Sequence, residues 1–134
     1  MNEQERIKLL KQVAECAPRE WESPYGWDVE PTTYFRLDVP RPDGGIQACY
    51  LTLDDDYIAS SAIVAMLDAM EVSDLGGIGP EVAIELCGCG SEWYCRRWVC
   101  PESDSPHKAQ EGKGVTRAEA VAKAFVQVFG EKQS

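Results

Sequence analysis

Apolar residues along this chain recur with helical spacing in three segments and alternate, strand-like, in two paired stretches between them. Ile7, Leu10, Val13, Ala14 and Ala17 mark one face of a helix over 3–17, and Pro18 ends it. Ile58, Ala62, Ala65, Met66, Ala69 and Met70 mark a second helix over about 56–70. The third, over about 117–129, has the strongest stripe: Ala118, Val121, Ala122, Phe125, Val128 and Phe129. Thr116 to Glu119 reads as a capping box, in which hydroxyl and carboxylate satisfy free amides at the helix start. Gly130 is its stop.

The alternating stretches predict hairpins. Phe35, Leu37 and Val39 share a face of one strand over 34–39, and residues 46–53 form its partner. With Asp43-Gly44 as the loop, Val39 lies opposite Ala48 and Leu37 opposite Tyr50. Pro40 and Pro42 place this hairpin at an edge or loosen its turn. The second hairpin spans 81–100, EVAIELCGCGSEWYCRRWVC. A turn centred on Cys89-Gly90 pairs Leu86 with Trp93, Ile84 with Cys95 and Val82 with Arg97, mostly an apolar face. The other face carries Glu81, Ala83, Glu85, Tyr94, Arg96 and Trp98, and the two glutamates can pair with Arg96 inside the sheet. Residues 18–33 and 73–80 read as irregular or loop, and 101–114 as a polar loop with room for a short strand. The order α-ββ-α-ββ-α gives a single α+β domain over 1–134, an antiparallel sheet of two hairpins packed with three helices.

The pieces IVAMLDAMEV, EVAIELCGCGSEWYCRRWVC and AQEGKGVTRAEAVAKAFVQVFGEK follow one another as helix, Trp-containing hairpin, polar connection and Ala-rich closing helix. In this order the chain over roughly 54–132 resembles small tailed-phage proteins of the ABA-sandwich and NinX-like families. The resemblance implies a phage or prophage origin and a three-layer sandwich. It carries no catalytic residues to transfer. The 34–53 hairpin and the cysteine-rich turn depart from that pattern, and the charged outer face of the second hairpin suits a two-layer fold better.

Composition narrows the chemistry. The chain has 134 residues, 44% of them hydrophobic, which suffices for one real core. Its net charge of -10 disfavours general nucleic-acid binding, because a phosphate backbone has the same sign. MNEQERIKLL has no apolar core of a signal peptide, and no stretch approaches a membrane span, so a cytoplasmic, reduced protein is expected. Cys87, Cys89, Cys95 and Cys100 invite a zinc reading, but Cys95 and Cys100 diverge by roughly 16 Å along one strand and point to opposite faces. No metal ligand set and no cofactor is therefore expected, and Cys95 reads as a small core residue. Asp54, Asp55 and Asp56 lack the alternation of a calcium loop and read as helix-capping carboxylates. His107 is the lone histidine, set in a polar loop without a nucleophile motif, so no catalytic residue is expected.

Tyr94, Arg96, Trp98, Tyr25 and Trp27 are the candidate binding residues, with Arg97 beside them, because aromatics and arginine concentrate contact energy at interfaces. The function expected is a non-enzymatic phage or prophage binding protein that engages a host protein or small signal, with inhibition of a host defence as its sharpest form. The alternatives are a zinc-stabilised interaction module and a small nucleotide-binding protein or enzyme.

Overall fold

The computed structural model describes residues 2–17, 21, 34–41, 43–72, 81–100 and 107–130. Along the chain run α1 (Glu3–Cys16), β1 (Tyr34–Pro40), β2 (Ile46–Thr52), α2 (Ser60–Val72), β3 (Glu81–Cys89), β4 (Glu92–Cys100), β5 (His107–Gly114) and α3 (Arg117–Gly130). The strands make two antiparallel sheets, β1-β2 and β3-β4-β5. The α+β class, the three helices and both hairpins are thus as expected, and β5 extends the second hairpin to three strands.

Asn2 starts α1 through a complete capping box: its Oδ1 accepts from the Glu5 amide at 2.8 Å, and the Glu5 carboxylate accepts from the Asn2 amide. The helix buries Leu9, Leu10, Val13 and Ala14 and packs on α3. Trp21 stacks on Phe125 of α3 with ring centroids 5.7 Å apart, and Phe125 meets Phe129 at 4.5 Å.

The first hairpin differs from the expected register by one residue. Leu37 pairs with Cys49 and Val39 with Gln47, not with Tyr50 and Ala48. The loop has five residues. Arg41 N–H donates to Gly45 O at 2.8 Å, Gly44 sits at φ 93°, and the Asp43 carboxylate accepts from the Gly45 amide. An odd-numbered loop exchanges the faces of β2 relative to a two-residue turn. Cys49 and Leu51 therefore enter the core, while Ala48 and Tyr50 face solvent.

The three aspartates act separately. Asp54 pairs with Arg6 at 3.0 Å. Asp55 accepts from the amides of Tyr57 and Ile58 and holds a turn that delays α2 to Ser60, four residues later than expected. Ile58 is consequently 52% exposed, and Ala59, Ala62, Ile63, Met66 and Met70 form the buried stripe. Asp56 reaches α3, where its two carboxylate oxygens accept from the amides of Arg117 and Ala118 at 3.0 and 2.9 Å. Thr116 Oγ1 accepts from the Glu119 amide and donates to Leu53 O at 2.6 Å. Glu119 completes the cap one residue earlier than expected, accepting from the Val115 amide at 2.9 Å.

In the second sheet the turn is Gly90-Ser91, with Gly90 at φ 64°. Leu86 pairs with Cys95, Ile84 with Arg97 and Glu85 with Arg96, two residues away from the expected pairing. A shift of two preserves the faces, since side chains alternate with period two. Ile84, Leu86, Trp93, Cys95 and Arg97 thus lie on the inner face and Glu85, Tyr94 and Arg96 on the outer, as the sequence implies.

The inner face is covered by α3, which touches α1, α2, β4 and β5. Its approach to β5 is unusually close. A Cβ built on Gly112 would collide with the carbonyl oxygen of Ala120 and lie 2.6 Å from the Ala124 amide nitrogen. One built on Gly114 would lie 2.6 Å from Glu119 Cβ. The side-chain amide of Gln127 clips the helix to β5, donating to Glu111 O at 2.7 Å and accepting from the Glu111 amide at 3.0 Å.

Cys95 is fully buried in this interface, and desolvation pushes its thiol up to about 11. An unfolded chain releases that proton near pH 9, whereas the fold retains it. Stability linked to this thiol is therefore complete below pH 9 and is lost as pH rises through 11. The loss should approach about 2 kcal/mol at pH 11. Urea unfolding at mildly and strongly alkaline pH checks it. Cys95→Ala should lack this component, and equal pH slopes for both proteins would rule the linkage out.

Candidate functional site

Strand alternation puts two different surfaces on the three-stranded sheet. The inner one is sealed by α3. The outer one keeps Glu85, Cys87, Cys89, Arg96 and Lys113 exposed, with Tyr94 half-buried among them. These six residues line a surface depression of about 390 Å³.

Tyr94 is its centre. Arg96 Cζ lies 5.7 Å and Lys113 Nζ 5.3 Å from the ring centroid, so two cations flank one aromatic ring. The phenol donates to Glu92 at 3.1 Å. That hydrogen bond, reinforced by the charge of Glu92, holds the phenol above its ordinary pKa. Glu111 approaches Arg96 at 3.3 Å and Lys113 at 3.9 Å. Both contacts are partly exposed to solvent and worth roughly 0–1 kcal/mol.

Of the expected contact residues, Tyr94 and Arg96 meet here. Trp98 pairs through its backbone with Ala83, but its side chain, like all of Tyr25 and Trp27, lies outside the described residues. His107 opens β5 opposite Val99, and its side chain is likewise outside them. Arg97 does not belong to any contact surface. It is 2% exposed on the inner face, where Nε donates to Met70 O at 2.9 Å and a terminal nitrogen to Gln110 Oε1 at 3.1 Å. Its charge sits at the C-terminal, electronegative end of α2. Glu85 lies opposite Arg96 in the register, and Arg96 also pairs with Glu111 of β5, from the segment expected as a polar loop with room for a short strand.

Lys113, Glu111, Cys87 and Cys89 were not among the expected site residues. The signal for the first two is present in the sequence: Glu111 and Lys113 alternate with Gly112 and Gly114. Polar and glycine positions alternating still follow period two, although no apolar residue marks the inner side. Among the described residues no group of three or more His, Cys, Asp or Glu converges. No helix among them is long and apolar enough to cross a membrane. Comparison with protein-family models, curated proteins and solved structures finds no match.

Proposed function

We propose that this chain is a non-enzymatic binding protein of phage or prophage origin that works in the host cytoplasm. Its contact face is the outer surface of β3-β4-β5, and its ligand is a host protein or small signal carrying an anionic group beside a flat apolar one. The sharpest form of this reading is a protein that sequesters a signal on which a host defence depends. The observation that carries the binding reading is the Tyr94 ring flanked by Arg96 and Lys113 within the depression. A ring supplies a stacking surface, and the adjacent guanidinium supplies a fork for carboxylate or phosphate. The overall charge of -10 favours a ligand selected by local geometry over one gathered by long-range attraction.

The test is a melting-shift screen against phosphorylated and carboxylated small molecules, run in parallel on Tyr94→Ala/Arg96→Ala. A ligand at a hundred times its dissociation constant should stabilise the native protein by about 2.7 kcal/mol. The double variant should lose that shift while its ligand-free melting temperature stays within a few degrees, since both side chains lie outside the core. A shift retained by the variant would place binding elsewhere. A collapse of the variant's fold would make these residues structural.

A further inference from the structure

The geometry points to a second kind of site in the same depression: a two-thiolate clamp, formed by Cys87 and Cys89, for a soft univalent cation of the copper(I) and silver(I) class. Both cysteines are on β3 at positions two apart, both are exposed, and both line the depression. Cys87 lies opposite Tyr94 and Cys89 opposite Glu92, so both thiols stand on the outer face.

Strand geometry decides what such a pair can do. Residues two apart in a strand are separated by about 6.7 Å, and their Cβ atoms point the same way. A disulfide needs Cβ atoms about 3.8 Å apart, so these thiols cannot bridge without bending β3. The bend is resisted from beneath, because the Trp93 ring packs under Gly88: a Cβ on that glycine would lie 3.1 Å from the ring. A linear two-coordinate ion has a different requirement. Metal–sulfur bonds of about 2.2–2.3 Å place the sulfurs roughly 4.5 Å apart, which two parallel side chains reach by leaning toward each other. Soft thiolate ligands select such ions over harder divalent ones. Among the described residues no third and fourth ligand converges to complete a zinc tetrahedron.

Charge balance fits as well. On binding, two S–H bonds break and two sulfur–metal bonds form, and both protons leave to solvent. The resulting bis-thiolate complex of a univalent ion carries one negative charge. Arg96 and Lys113, in the same depression, lie beside it. This site does not depend on the partner reading given above, since it uses the thiols and not the face of the tyrosine ring.

The experiment is anaerobic titration of the reduced protein with copper(I) held by a chromogenic chelator, repeated with silver(I). The protein should withdraw one ion per chain, and X-ray absorption should show two sulfur neighbours in a linear arrangement. Cys87→Ser and Cys89→Ser should each weaken binding by about a hundredfold or more, because each removes the chelate and leaves a single thiol. Cys95→Ala should bind as the unaltered protein does. Melting curves of the serine variants should match the parent, since both positions are exposed. Binding that survives the paired substitution Cys87→Ser/Cys89→Ser, failure to compete with the chelator, or coordination by three or more sulfurs would each overturn the proposal.

Discussion

Replacing Arg97 with alanine is expected to cost the fold about 4–5 kcal/mol, near the upper limit for a single substitution. Arg97 is among the largest fully buried side chains, so truncation opens a cavity between β4 and the end of α2. Truncation also strips charged donors from Met70 O and Gln110 Oε1. Arg97→Met separates the two causes by keeping most of the volume and removing the donors. It should recover about half the loss, leaving about 2 kcal/mol for the lost charged hydrogen bonds. Exchanging buried charge for hydrocarbon can be neutral when every partner is exchanged with it, but here the Met70 carbonyl cannot be removed. Urea denaturation of the three proteins measures the difference. A methionine variant as stable as the parent would show that volume alone matters at this position.

The second large effect is expected from adding one methyl group. Gly112→Ala should cost about 4 kcal/mol, above the usual range for overpacking, because the new Cβ meets helix backbone and not a side chain that can rotate. Relief requires lifting α3 off β5, which would also break the Gln127 clip on Glu111 and loosen the contacts around Cys95. Gly114→Ala presses on the Glu119 side chain instead and should cost less. Thermal melts of both variants give the ordering. If Gly112→Ala melts with the parent, the helix and strand are not in the close contact described.

The inner positions of β5 also explain why that strand was hard to see. A strand announces itself by apolar residues on its buried side, and here that side is Gln110, Gly112 and Gly114. The space that side chains would fill is occupied by α3, by its backbone at Gly112 and by the Glu119 side chain at Gly114, so the sequence shows glycine where hydrophobicity is sought. The helices were legible for the opposite reason: Val13, Met66 and Phe125 announce their faces with large buried groups. Errors at the hairpins come from the turns, from loop length in β1-β2 and from turn position in β3-β4. A two-residue displacement in β3-β4 left every face in place, and Tyr94 and Arg96 were correctly put outside. A one-residue displacement in β1-β2 moved Tyr50 from core to solvent. The outer-face site was half legible, because its two cations and the Glu111 that pairs with them come from strands that meet only after folding: Arg96 from β4, Lys113 and Glu111 from β5. Arg97 read as a contact residue because charge suggests surface, while its role comes from a helix end that lies 27 positions earlier.

The cap that Asp56 places on α3 spans 61 residues, and Thr116 is anchored to Leu53 across a similar interval. A chain emerging from the ribosome completes Asp56 and the hairpin before it long before α3 exists. Until residues 117–130 are made, α1 and α2, which carry Leu10, Met66 and Met70, lack the helix they pack on. α3, made after them, both fills the core and donates its first free amides to a carboxylate that precedes it in the chain.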